Sequence, residues 1–207
     1  MKRKYDLPLI HNFSLDIDLK KLQAECDRLS GKYIDVVSAN PNLCMNHQEL
    51  VKDVYANFEQ INLTTANENE LLDFTADVKE RIKRREELLY HHPSEDYKSS
   101  YFEEIVKKFK SPAIRVRITK LAPHTSIPFH IDYDPSYAVR VIVPIYTNPK
   151  VINSFKKKNE IFEYHLEEGN AYFLNTGFSH AVFNNSDMPR IALMFSLENQ
   201  DDLEYVS

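Results

Sequence analysis

Cysteine is scarce in this sequence: Cys26 and Cys44 are the only two, and their spacing matches no zinc knuckle. That argues against a disulfide framework and a zinc finger, and it fits a reducing compartment. Long apolar runs are missing as well. No stretch approaches the roughly 18 apolar residues that cross a bilayer, and the N-terminal MKRKYDLPLIHNFSLDID has basic residues with no apolar segment behind them. A cytoplasmic protein without membrane contact is expected. Nor is charge of one sign concentrated in either half. The 26 basic and 31 acidic side chains divide as 17 and 20 over residues 1–110 and as 9 and 11 over residues 111–207, so no field draws the chain to nucleic acid. Internal repeats and low-complexity tracts are absent too.

What is present is an ordinary core-forming composition, 43% hydrophobic and 28% charged over 207 residues, enough for one compact domain with extensions. The hydrophobic period changes near residue 111. Before it, Leu15, Leu19, Leu22, Cys26 and Leu29, then Leu50, Val54, Phe58 and Ile61, then Phe102, Ile105, Val106 and Phe109 recur at helical spacing. Residues 1–110 are therefore expected to be a mainly helical support region. The RIKRR run within it is flanked by Glu80, Glu86 and Glu87 and reads as a solvated helix face. After residue 111 the period is two: AIRVRITKL, YAVRVIVPIY, EIFEYHL, GNAYFLN, SHAVFN and PRIALMFSL are short, β-branched and aromatic, and bounded by Pro, Gly, Asn and Asp. Residues 111–207 are expected to be the β-sheet core.

One stretch of that core, IPFHIDYDP, places an imidazole and a carboxylate on one face, because residues i and i+2 of a strand point the same way. About one His-x-acid pair would arise by chance; three occur, His47/Glu49, His130/Asp132 and His165/Glu167. His47 falls in an expected helix, where i and i+2 diverge, and nothing suitable follows His165. His130/Asp132 differs: GFSHAVFNNSDMPRIALMFSL supplies His180 on one strand, a polar turn, and Arg190 on the next, two strands expected to pair antiparallel. Two imidazoles and one carboxylate form the facial triad of non-haem Fe(II), which leaves positions open for a bidentate 2-oxo acid and for O2. The distal carboxylate of 2-oxoglutarate needs a fixed cation, which a planar arginine supplies. His124, His91 and His92 lie in loops without such context.

The pattern H-x-D…H-x9-R resembles the Fe(II)/2-oxoglutarate-dependent dioxygenases, and HAVFNNSDMPRIALMF is similar to the aspartyl/asparaginyl β-hydroxylase branch. The likeness covers about residues 113–198. It implies an α+β chain whose core is a double-stranded β-helix (a cupin-like jelly roll) beneath a helical N-terminal layer. It also implies iron on His130, Asp132 and His180, 2-oxoglutarate on Arg190, Arg140 as a second cosubstrate arginine, and Thr119 as a hydroxyl beside it. Two features depart from common members: Ile142 stands where some have a histidine two residues after the arginine, and Asp132 is present where the best-known protein-modifying members lack a carboxylate. The full triad is closer to the free amino-acid hydroxylases of the branch. The implied reaction is hydroxylation of an amino acid, free or within a peptide, with release of succinate and CO2.

Strand parity extends the map. If Arg190 faces inward, so do Ala192, Met194 and Ser196, while Ile191, Leu193, Phe195 and Leu197 pack against the helices. Arg115 and Arg117 would share the face of Thr119 and meet a substrate carboxylate, unless that strand is an exposed edge. Phe129, Tyr133 and Tyr137 flank the proximal ligands as a substrate wall. A metal-free binding barrel and a zinc hydrolase remain as alternatives, although the first gives Asp132 and Arg190 no purpose and the second gives none to Arg190.

Overall fold

The computed structural model describes residues 1–39, 57–67 and 86–206. Cys44, the His47/Glu49 pair and the RIKRR run lie outside them. The chain runs β1 (Ile10–Asn12), α1 (Leu19–Arg28), β2 (Ile34–Asp35), α2 (Val36–Ala39), β3 (Phe58–Asn62), β4 (Thr64–Thr65), β5 (His92–Pro93) and α3 (Tyr101–Val106). Eight strands follow: β6 (Ala113–Leu121), β7 (Thr125–His130), β8 (Val139–Tyr146), β9 (Val151–Lys157), β10 (Glu160–Tyr164), β11 (Tyr172–Leu174), β12 (Ser179–Asn184) and β13 (Arg190–Leu197). A seven-stranded sheet, in order β1-β11-β8-β13-β6-β3-β2, faces a four-stranded sheet, in order β10-β9-β12-β7. Every pairing is antiparallel. This is the jelly-roll form of the double-stranded β-helix.

Burial explains the composition of the strands. β8 is central and covered on both faces, so it reads as a near-continuous apolar run, with Val139, Val141, Val143 and Ile145 on the helix side. Leu193, Phe195 and Leu197 of β13 join them there against Leu22, Cys26 and Leu29 at α1 and against Phe102 and Ile105 of α3. Each fully buried Leu or Phe contributes about 1.5–3 kcal/mol. The opposite face of the sheet packs on the smaller one through Ile142, Phe155, Tyr172 and Ala192, and through Leu121, Ile127 and Val182. α1 and α3 begin at side-chain caps: Asp18 accepts from the Lys21 amide (3.1 Å) and Ser100 from the Glu103 amide (3.3 Å). Among the described residues no helix is long and apolar enough to cross a membrane.

Three expectations need correction. Phe58 and Ile61, three apart as on a helix, lie instead on β3, a strand paired with β6, and β1 and β2 also enter the large sheet. Tertiary pairing overrode a short periodic signal. That pairing also makes β6 an interior strand and not an edge. Finally, β12 and β13 are not a hairpin pair. They lie in opposite sheets, and the intervening turn carries the chain across. Asn184, fully buried, holds this crossing by donating to the carbonyls of Leu121 (3.3 Å), Ala122 (3.0 Å) and Met188 (2.8 Å), while Ser186 Oγ donates to Asn184 Oδ1 (2.7 Å).

Candidate active site

Pairing of β7 with β12 inside the four-stranded sheet sets His130, at the end of β7, opposite His180, with ring centroids 4.2 Å apart. Asp132 follows on an extended segment pinned by its amide, which donates to the Thr176 carbonyl (3.1 Å), and the intervening Ile131 points outward, 61% exposed. One ligand atom from each of His130, Asp132 and His180 lies within 4.8 Å of the other two. In each histidine Nδ1 faces a backbone carbonyl two residues earlier, Pro128 at 2.8 Å and Phe178 at 3.1 Å. A carbonyl oxygen only accepts, so Nδ1 carries the proton and Nε2 keeps its lone pair for a metal. Burial pulls the pKa of His180 down to about 4, against the opposing pull of Asp132, and leaves the ring neutral near pH 7. For Asp132 burial acts to raise the pKa, but Arg140, His180, His130 and Arg117 together hold it below the usual carboxylate range. A neutral His180 imidazole beside an ionised Asp132 carboxylate is the protonation state in which these two groups bind a divalent metal.

Arg190 opens β13 on the inward face. It is 4% exposed, its Nη1 donates to Thr119 Oγ1 at 3.3 Å, and among the described residues it has no carboxylate partner. Thr119 is itself fully buried and donates to the Ala192 carbonyl (3.3 Å). A permanently charged group enclosed with one hydroxyl is costly to hold.

Residues 46–200 match the sequence profile of the aspartyl/asparaginyl β-hydroxylase family. The chain belongs to that family. Among solved structures it is similar to a Pseudomonas putida prolyl-4-hydroxylase, 14% identical, with a TM-score of 0.52 over 92% of this chain and 91% of that one, a likeness of fold. A cupin domain from Bordetella pertussis Tohama I is 19% identical over 44% of this chain and 86% of its own, TM-score 0.33. Oxalate decarboxylase from Bacillus subtilis is 15% identical over 45% of this chain and 22% of its own, TM-score 0.34. No curated protein matches the sequence.

The remaining candidate residues of this β-hydroxylase family member fall into two groups. Arg140 lies beside the triad: its Nη2 reaches Asp132 Oδ2 (3.4 Å), Tyr133 Oη (3.1 Å) and Glu87 Oε1 (3.4 Å). Tyr137 packs against Tyr133, ring centroids 4.8 Å apart and tilted by 43°, and accepts from the Glu87 amide (3.2 Å). Arg117 shares the inward face of β6 with Thr119, opposite Met194. Arg115 does not, because an extra residue bulges β6 between Ile114 and Arg117, Arg115 adopts φ +50°, and its guanidinium pairs with Glu87 (3.0 Å) and covers the Tyr90 ring. Phe129 also departs from the expected wall. A register shift in β7 beside it breaks the alternation, and the ring packs with Phe183 and Lys156, which alternate with the inward Val182 and Phe155. Phe129 therefore lies on the outer face of the small sheet.

Glu87 was read as part of a solvated helix. It is instead 2% exposed and tied to Arg115 and Arg140. The only sequence hint was its place immediately before the apolar LLY. His165 approaches the Val151 carbonyl, and His124 pairs with Asp187 on the surface; neither is among the clustered ligand atoms.

Proposed function

We propose that this protein is an Fe(II)- and 2-oxoglutarate-dependent dioxygenase that hydroxylates a C–H bond of an amino acid, free or within a peptide. The observation that supports this reading is the pairing of a His-Asp-His cluster with a buried arginine that has no carboxylate partner among the described residues. A zinc hydrolase uses the first feature and leaves the second unexplained.

With Fe(II) and 2-oxoglutarate bound, the site would supply oxidative decarboxylation of the cosubstrate to succinate and CO2, coupled to insertion of one oxygen atom of O2 into the substrate C–H bond. The chain's own residues do the rest. His130 and His180 present Nε2, their rings fixed by the Pro128 and Phe178 carbonyls, so little rotational freedom is lost on binding. Asp132 is held ionised and oriented by Arg140. Arg190 takes the distal carboxylate of 2-oxoglutarate, with the Thr119 hydroxyl beside it, in a pocket from which water is largely excluded. Ala192, fully buried on the same strand face as Arg190, keeps this end of the pocket free of a bulky side chain.

The test is conversion of 2-oxoglutarate to succinate by chelator-treated protein. Dependence on added Fe(II), with no rescue by Zn(II), is expected, together with loss of turnover in His180→Ala. Activity that survives both treatments would remove the proposal.

A further inference from the structure

Around Arg140 the polar groups do not match one another. Arg117 donates to the Arg115 carbonyl (3.2 Å) and reaches only the weak acceptor Met194 Sδ (3.3 Å), with no carboxylate within ion-pair distance among the described residues. It is half-buried beside two other guanidiniums. Burial, then repulsion from Arg140 and Arg115, holds its pKa well below the ordinary arginine value, and Glu87 and Asp132 offset this only in part. Arg140 uses Nη2 alone, leaving Nε and Nη1 buried without partners. Glu87 gives Oε1 to Arg115 and Arg140, while its Oε2 is buried without a partner. Ser196, opposite Arg140 in the β8–β13 register, has an unpartnered, fully buried Oγ.

Buried polar atoms are nearly always satisfied, so unmatched donors and unmatched acceptors in one cluster describe a ligand that carries both. A simple anion would answer the arginines and leave Glu87 Oε2 bare. A cation would do the reverse. A carboxylate and an ammonium on one carbon answer both sets.

We propose that Arg117, Arg140 and Glu87 form the head-group site for the primary substrate, and that this head group is the adjacent carboxylate and ammonium of a free α-amino acid. Arg117 and the Nε/Nη1 edge of Arg140 take the carboxylate, a role in place of the cosubstrate contact that the family resemblance implies for Arg140; Glu87 Oε2 takes the ammonium. An internal peptide residue has neither charge on its backbone and is excluded. The inference rests on the dioxygenase reading for what is then done to the substrate, but the binding site itself can be tested without turnover.

The experiment is calorimetric titration of the full chain with the common free L-amino acids and with the N-acetyl and carboxamide forms of each. It is run metal-free and again, anaerobically, with Fe(II) and 2-oxoglutarate. At least one free amino acid should bind, and either derivative should bind about 30-fold or more weakly, the loss expected when one partner of a buried charge pair is removed. Arg117→Gln should abolish the preference for the acid over its carboxamide, and Glu87→Gln the preference for the free amine over its N-acetyl form. A structural role alone would not produce that division. Should Glu87→Gln fail to fold, the wild-type comparison of free and blocked ligands still decides. Equal binding of free and blocked forms, or no binding of any free amino acid under either condition, overturns the head-group assignment. The visible band of the Fe(II)–2-oxoglutarate chelate, recorded in the same samples, reports separately whether the dioxygenase reading stands.

Discussion

Replacing Arg190 by methionine separates the energetic burden of its charge from the ligand that charge would hold. The guanidinium is 4% exposed with one hydroxyl partner, and burial alone pulls its pKa from the ordinary arginine value down to about 10. A depression of that size corresponds to about 3 kcal/mol against the charged form. Because the folded-state pKa lies below the unfolded one, the full penalty applies at every pH below about 10 and is relieved only as pH rises from there toward the ordinary arginine value. Methionine, flexible and apolar, fills most of the same space without the charge. Allowing for imperfect packing, 1–2 kcal/mol of the penalty is recovered, which for a chain of this size raises the melting temperature by roughly 5 °C. The ligand-free Arg190→Met protein should therefore melt above the wild type at pH 7.5. In the succinate assay the same variant should need about 30-fold or more 2-oxoglutarate, because a buried charge-assisted pair has been lost. Calorimetry and a 2-oxoglutarate titration measure the two effects. A lower melting point combined with an unchanged 2-oxoglutarate requirement would show that the guanidinium is a structural group.

Asn184→Ala removes donors to three carbonyls at the crossing between sheets; a loss of about 2–4 kcal/mol is expected in urea unfolding, with most activity lost alongside. Phe195→Ala, in the layer between sheet and helices, should cost about 3–5 kcal/mol by the same measurement. For metal-free protein, the depressed pKa of His180 means that the unfolded chain takes up a proton near pH 6.5 while the folded chain resists until about 4. Stability should fall as pH drops through that window, by up to about 1.4 kcal/mol per pH unit, and His180→Asn should flatten the slope.

Much of the site was legible because it is local. Residues two apart on an extended segment share a face, so His130 and Asp132 could be paired from sequence, and alternation along β13 assigned Leu193, Phe195 and Leu197 to the helix side. What could not be read depends on partners distant in sequence. Nothing in NNSDMP distinguishes a hairpin from a crossing between sheets; the difference lies in Asn184 finding the carbonyls of Leu121 and Ala122. Single-residue irregularities in β6 and β7 reverse the alternation, and so moved Arg115 and Phe129 away from the face that parity assigned them. Glu87 looked solvated because its neighbours in sequence are charged, whereas its neighbours in space are Arg115 and Arg140.

The most direct measurement is an anaerobic titration of chelator-treated protein with Fe(II) and then 2-oxoglutarate, followed by visible absorption. A weak metal-to-ligand charge-transfer band should grow to one equivalent, be absent in His180→Ala, and require far more 2-oxoglutarate in Arg190→Met. Well-folded protein that binds Fe(II) and develops no band, or a band that persists in His180→Ala, would contradict the assignment of His130, Asp132, His180 and Arg190.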